Sequence, residues 1–101
     1  MRKNTKEIGI INSLIINHIE NLKREDISKQ DKEIDYLLVK EAVEALIKEY
    51  KKPDDSRQRR KYIKNLLIGV YEQLYTYLIN INKYDYKILE LYSMLDNLIN
   101  N

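Results

Sequence analysis

Between Ile8 and Leu22 the apolar residues Ile8, Ile11, Ile15, Ile19 and Leu22 recur at steps of three and four, the spacing that keeps side chains on one face of an α-helix. Asn4 followed by Glu7 offers a capping box at its start, and the pattern predicts a first helix over about residues 5–23. "KREDISKQDKE" then gathers charge with little apolar content, and either Ser28 or Asp31 is placed to cap a second helix over about residues 32–51. The inward face of that helix is expected to hold Leu38, Val39, Ala42, Val43, Leu46 and Tyr50, with Lys40, Glu41, Glu44 and Lys48 on the far side. Pro53 closes it, because proline has no amide hydrogen to donate and disfavours helical geometry at Lys52.

"PDDS" reads as the turn, in which Asp54, Asp55 or Ser56 accepts the free amides of the next helix start. The third helix, over about residues 56–81, carries the strongest period in the chain: Ile63, Leu66, Leu67, Val70, Leu74, Tyr77, Leu78 and Ile81 share one face. "NINKYD" makes the last connection, with Asn82 as candidate N-cap and Asp85 in the first turn of a fourth helix over about residues 84–99. Tyr84, Ile88, Leu91, Tyr92, Leu95, Leu98 and Ile99 are its apolar set. Two glycines and one proline leave little turn chemistry for strands. Four amphipathic helices joined by short loops predict an all-α, antiparallel up-down four-helix bundle, since a short connection reverses the chain. With 101 residues, 44% of them hydrophobic, a single domain over residues 1–101 and one core are expected.

Charge changes the picture in one place. The chain as a whole is balanced, 18 basic residues against 16 acidic ones, which argues against a general polyanion binder. From Lys48 to Lys64, however, eight basic residues meet three acidic ones, a local net of +5. The same part of the third helix bears a second stripe, Arg57, Lys61, Lys64, Ile68, Tyr71, Tyr75 and Ile79, displaced by roughly 120° from the main apolar face at 100° per residue. Two readings fit it. It is a broad core edge covered by lysine stems, or it is a partner-binding patch with a basic rim and an apolar centre at Ile68, Tyr75 and Ile79. A nucleic-acid interface through Arg57, Arg59, Arg60, Lys61 and Lys64 fits less well, because most tyrosines lie turns away, several at core positions, and no recognition-helix motif precedes them.

Catalytic chemistry is not indicated. His18 is the single histidine and lies beside an apolar stripe; no Ser-His-Asp order, glycine-rich phosphate loop or HExxH motif is present. The absence of cysteine removes thiolate metal sites and disulfides, and the acidic pairs in "EIDY" and "EAVE" lack the Glu-x-x-His partners of a carboxylate metal centre. The expectation is a non-enzymatic protein without cofactor, metal or small-molecule substrate. The N-terminal stretch is interrupted by Asn12, Asn17 and His18 and lacks a small-residue cleavage site, so a mature cytoplasmic chain is expected. The longest uncharged stretch near the tyrosines, Gln73 to Asn82, is too short to span a bilayer.

The layout of four helices, the charged second connection and the closing "YDYKILELYSMLDNLIN", above all "LELYSMLDNL" from Leu89 to Leu98, resemble the enterocin A immunity family. These are small cytoplasmic proteins that protect producers of class IIa, pediocin-like bacteriocins. The resemblance covers essentially the whole chain and implies an antiparallel four-helix bundle. It also implies binding, from the cytoplasmic side and peripherally at the inner membrane surface, to the mannose-permease receptor once a bacteriocin has engaged it. Several members continue past the fourth helix with a tail that packs on the bundle; this sequence closes at Asn101, so specificity attributed to such a tail is not carried over. Recognition is then expected on the second helical hairpin, where the outward stripe and basic cluster also lie.

Overall fold

A computed structural model describes residues 4–52, 56–80 and 85–100. Among them the chain forms α1 (Thr5–Leu22), α2 (Lys29–Lys51), α3 (Arg57–Asn80) and α4 (Tyr86–Asn100), with no strand. The caps explain the starts. The Asn4 side chain accepts the Glu7 amide at 2.8 Å, while its own side-chain N–H reaches the Glu7 carboxylate at 3.4 Å. Ser28, rather than Asp31, caps α2 by accepting the Asp31 amide at 3.1 Å, which brings the helix start to Lys29 instead of residue 32. Ser56 accepts the Arg59 amide at 3.0 Å. Asp85, expected inside the first turn, is instead the cap of α4, taking the Ile88 amide at 3.1 Å. The expectations for Pro53, Asp54, Asp55, Ile81, Asn82 and Tyr84 lie outside the described residues.

Side-chain contacts give the direction of each helix. His18, late in α1, meets Asp35, early in α2; Glu49, late in α2, meets Arg59, early in α3; and Tyr77, late in α3, bonds Asp85 at the head of α4. Consecutive helices are therefore antiparallel. Lys87 pairs with Glu33, both near helix starts, so α2 and α4 run parallel. Likewise Tyr62 lies against Gly9, where a Cβ would come within 3.4 Å of its hydroxyl, and Lys23 reaches Gln73, so α1 runs parallel to α3. The helices α1 and α4 flank a contacting α2 and α3 pair from opposite sides. The result is the expected antiparallel up-down four-helix bundle.

Its core takes Ile8, Ile15 and Ile19 from α1, Val39, Val43 and Leu46 from α2, Ile63, Leu67, Val70 and Leu74 from α3, and Ile88 and Leu95 from α4. Each buried aliphatic side chain contributes on the order of 1.5–3 kcal/mol. Helix α2 buries Val39, Val43 and Leu46 as expected and packs Ala42 and Tyr50 partly buried beside them, but its inward face departs from expectation at Leu38 and at two acids. Its buried stripe is Asp35, Val39, Val43, Leu46 and Glu49, and Leu38 is 41% exposed. The stripe can end in carboxylates because each has a partner: His18 Nδ1 lies 2.7 Å from Asp35 Oδ1, and Glu49 is held by Arg59 at 2.7 Å and by Lys52. A buried carboxylate without such partners would cost several kcal/mol.

Candidate functional site

The second stripe of α3 splits into three parts. At its start Arg57, Lys61 and Lys64 are exposed and, with Arg60 and Tyr50, line an open depression of about 520 Å³. Tyr50 comes from the last turns of α2, and the Arg60 guanidinium sits 5.2 Å from the centre of its ring, a cation–π contact that makes the wall part aromatic and part cationic. None of Arg57, Arg60, Lys61 and Lys64 has a carboxylate within ion-pair distance among the described residues. Four positive charges thus crowd a small surface.

Arg59 stands apart from this group. Its guanidinium turns toward α2 and closes on Glu49, whose side chain is 3% exposed, and Arg59 itself is 15% exposed. The basic run at residues 57–64 therefore divides by helical phase into one cation that joins α2 to α3 and four that face the depression. A nucleic-acid interface using all five at once is not available from this arrangement.

The middle of the stripe is structural. Ile68 is half-buried, and Tyr71 is half-buried against α4, stacked on Tyr92 with ring centres 4.6 Å apart and planes 10° from parallel. The Tyr92 hydroxyl donates to the Tyr71 hydroxyl at 2.9 Å, and Tyr71 donates to Asp96 Oδ1 at 2.6 Å, which also receives the Asn100 side-chain amide at 2.8 Å. The bond to the Asp96 carboxylate, joined by that to Tyr92, raises the Tyr71 pKa above the ordinary phenol value, because ionising Tyr71 would set two anions against each other. Tyr77 is pushed in the same direction, first by burial and then by its bond to Asp85. These hydroxyls are locked as donors at pH 7 rather than poised for proton transfer.

The far end of the stripe is open and apolar. Tyr75 is 51% exposed, its ring tilted 32° against Tyr92 at 6.1 Å, and Ile79 is 61% exposed. Tyr86, in the first turn of α4, is exposed as well. Of the seven residues singled out by sequence, Arg57, Lys61, Lys64, Tyr75 and Ile79 face solvent along α3, Ile68 is intermediate, and Tyr71 ties the hairpin together.

Sequence reasoning missed a second exposed apolar group on the first hairpin. Ile10 and Leu14 on α1 and Ile34, Leu37 and Leu38 on α2 are solvent-exposed. The charge-free run from Ile8 to Asn17 was a signal for it. His18 with Asp35 and Asn21 forms a part-buried polar cluster between α1 and α2, in which Asp35 Oδ1 is shared by the imidazole and the amide. Among the described residues no group of three His, Asp or Glu side chains is placed to hold a metal ion, and no helix is long and apolar enough to cross a membrane. No family model, curated protein or solved structure matches this chain.

Proposed function

We propose that the chain is a non-enzymatic binding protein whose second helical hairpin docks a protein partner, and that its role is immunity to a class IIa bacteriocin at the cytoplasmic face of a mannose-permease receptor. The observation that carries the docking part is the single face of α3 on which Arg57, Lys61 and Lys64, cations with no carboxylate partner among the described residues, lead into the exposed Tyr75 and Ile79. Exposed aromatic and aliphatic anchors beside a charged rim are how protein interfaces are built. The resemblance of "LELYSMLDNL" at Leu89 to Leu98 supports the immunity part, and it lies on the α4 half of the same hairpin.

Expression of the wild-type chain in a bacteriocin-sensitive host tests the immunity part. Survival against a narrow set of pediocin-like peptides is expected, with the peptides recovered intact by mass spectrometry, since the protein binds and does not cleave. Full sensitivity to every such peptide, from cells containing folded protein, removes immunity and leaves a helical interaction module of other purpose. Degraded peptide would replace binding by hydrolysis.

A further inference from the structure

The α3 strip is segregated lengthwise, not around the helix. Its cations, Arg57, Arg60, Lys61 and Lys64, lie in the first two turns around a concave depression, and from Ile68 onward the strip carries no cation. Its exposed apolar anchors, Tyr75 and Ile79, lie at the other end. At 1.5 Å per residue the span from Lys61 to Ile79 is about 27 Å. We propose that this strip takes a helical segment of a partner protein that is acidic at one end and apolar at the other, laid along α3 with its acidic end over the depression and its apolar end over Tyr75 and Ile79. The inference rests on the reading of the second hairpin as a docking face and adds the chemistry and direction of the occupant.

Charge complementarity selects the acidic end. Four cations with no carboxylate partner among the described residues raise the local potential, which a cluster of carboxylates relieves and which steers their approach. The lengthwise arrangement then separates an acidic peptide from other polyanions. Nucleic acid carries charge at every step of its backbone, and laid along α3 it would face cations at one end and bare Tyr75 and Ile79 at the other. A bilayer-surface helix sorts apolar and basic residues around its circumference, so that both run its full length. Here the basic end is concave and the apolar end far from it, which suits an elongated partner of mixed character.

Fluorescence anisotropy with two labelled synthetic peptides of identical composition tests this. Both are helical and about 20 residues long, matching the strip at 1.5 Å per residue; one has glutamates in its first half and leucines in its second, and the other has them interleaved. The segregated peptide is expected to bind the full chain about tenfold more tightly than the interleaved one. Lys61→Glu with Lys64→Glu should weaken that binding by about tenfold or more and flatten its salt dependence. Tyr75→Ala with Ile79→Ala should weaken it about tenfold at low and high salt alike. Circular dichroism verifies folding, and Lys61→Gln with Lys64→Gln replaces the charge reversal if that variant does not fold, with a smaller loss expected.

Equal binding of the two peptides, or wild-type affinity in both double variants, overturns the proposal. So does tighter binding to phosphatidylglycerol vesicles or to duplex DNA than to the segregated peptide. The survival assay reads a different property. A wild type that protects cells but does not distinguish the peptides ends this inference and leaves immunity standing, whereas peptide discrimination without protection does the reverse.

Discussion

Replacing Arg59 by alanine should destabilise the bundle far more than replacing any neighbouring cation. The Glu49 carboxylate is 3% exposed and is held by Arg59 Nη2 at 2.7 Å and by Lys52. Removing one partner of a buried ion pair typically costs about 3–5 kcal/mol, because the remaining charge stays desolvated. Two features reduce that here. Arg59 is 15% exposed, so water can reach the vacated position, and Lys52 still faces the carboxylate. The expected loss for Arg59→Ala is therefore about 2–3 kcal/mol, just below that range. In a domain of about 100 residues each kcal/mol moves the Tm by roughly 4–8 °C, which puts the fall at about 8–24 °C. Lys61→Ala, at an exposed site lining the depression, should stay within about 0.5 kcal/mol of wild type. Glu49→Met supplies the control: it removes the buried charge together with the need for Arg59, so Arg59→Ala added to it should cost less than in the wild type. Urea and thermal unfolding followed by circular dichroism measure all four variants. Equal small losses for Arg59→Ala and Lys61→Ala, or full additivity with Glu49→Met, would refute the division of the basic run into one buried tie and an open patch.

Leu74→Ala, at a fully buried core position of α3, should cost about 2–5 kcal/mol in urea unfolding; a loss below about 0.5 kcal/mol would remove Leu74 from the core. Gly69 lies inside α3 with nothing within 4 Å of where a Cβ would stand, so Gly69→Ala should raise stability by about 0.5–1 kcal/mol, and a loss would mean that the site is crowded. Because Tyr71 and Tyr77 hold their protons more tightly folded than unfolded, the unfolded chain releases them first; the stability they contribute is intact below about pH 10 and falls as pH rises above it. The urea midpoint should therefore hold up to about pH 10 and drop above it, and Tyr77→Phe should make that drop shallower; an unchanged slope would contradict the assignment.

Much of the bundle was legible because its helices are marked at one residue's range. The faces of α1 and α3 follow from aliphatic residues at steps of three and four, and Ser28, Ser56 and Asp85 act on amides three residues ahead. On α2 the buried aliphatic positions Val39, Val43 and Leu46 were legible too, but the two buried acids were not. Asp35 and Glu49 read as solvated acids in a sequence, and they turn inward only because His18 is 17 residues before one and Arg59 is 10 residues after the other. The expected face also included Leu38, which is exposed. Helix α2 also began earlier than its apolar period, since its first turn, Lys29 to Lys32, is polar and owes its place to the cap.

The stripe on α3 shows the same limit. Arg57, Lys61, Lys64, Tyr75 and Ile79 were correctly placed away from the main apolar face by angle alone. Tyr71 shares that angle, and its burial depends on Tyr92 and Asp96, which lie 21 and 25 residues later on another helix. Arg59 and Arg60 are adjacent, yet one closes on a buried acid and the other on the Tyr50 ring, a choice made by the 100° step between them. The apolar group on the first hairpin escaped notice because Leu37 and Leu38 sit beside the buried Val39, where a run of three aliphatics hides which of them faces inward.

The central claim is that function resides on the outer face of the second hairpin, and a paired comparison of two surface variants tests it most directly. Tyr75→Ala with Ile79→Ala alters that face, and Ile10→Ser with Leu14→Ser alters the exposed apolar group of the first hairpin. Both are measured, beside the wild type, for host survival against a panel of pediocin-like bacteriocins, the readout of the proposed function, and for urea midpoint in purified form. The account predicts that the α3 variant loses protection while its midpoint stays within the range of a surface change, about 0.5 kcal/mol, and that the α1 variant protects as the wild type does. Protection kept by the α3 variant and lost by an equally stable α1 variant would place the working surface on the first hairpin and contradict the claim.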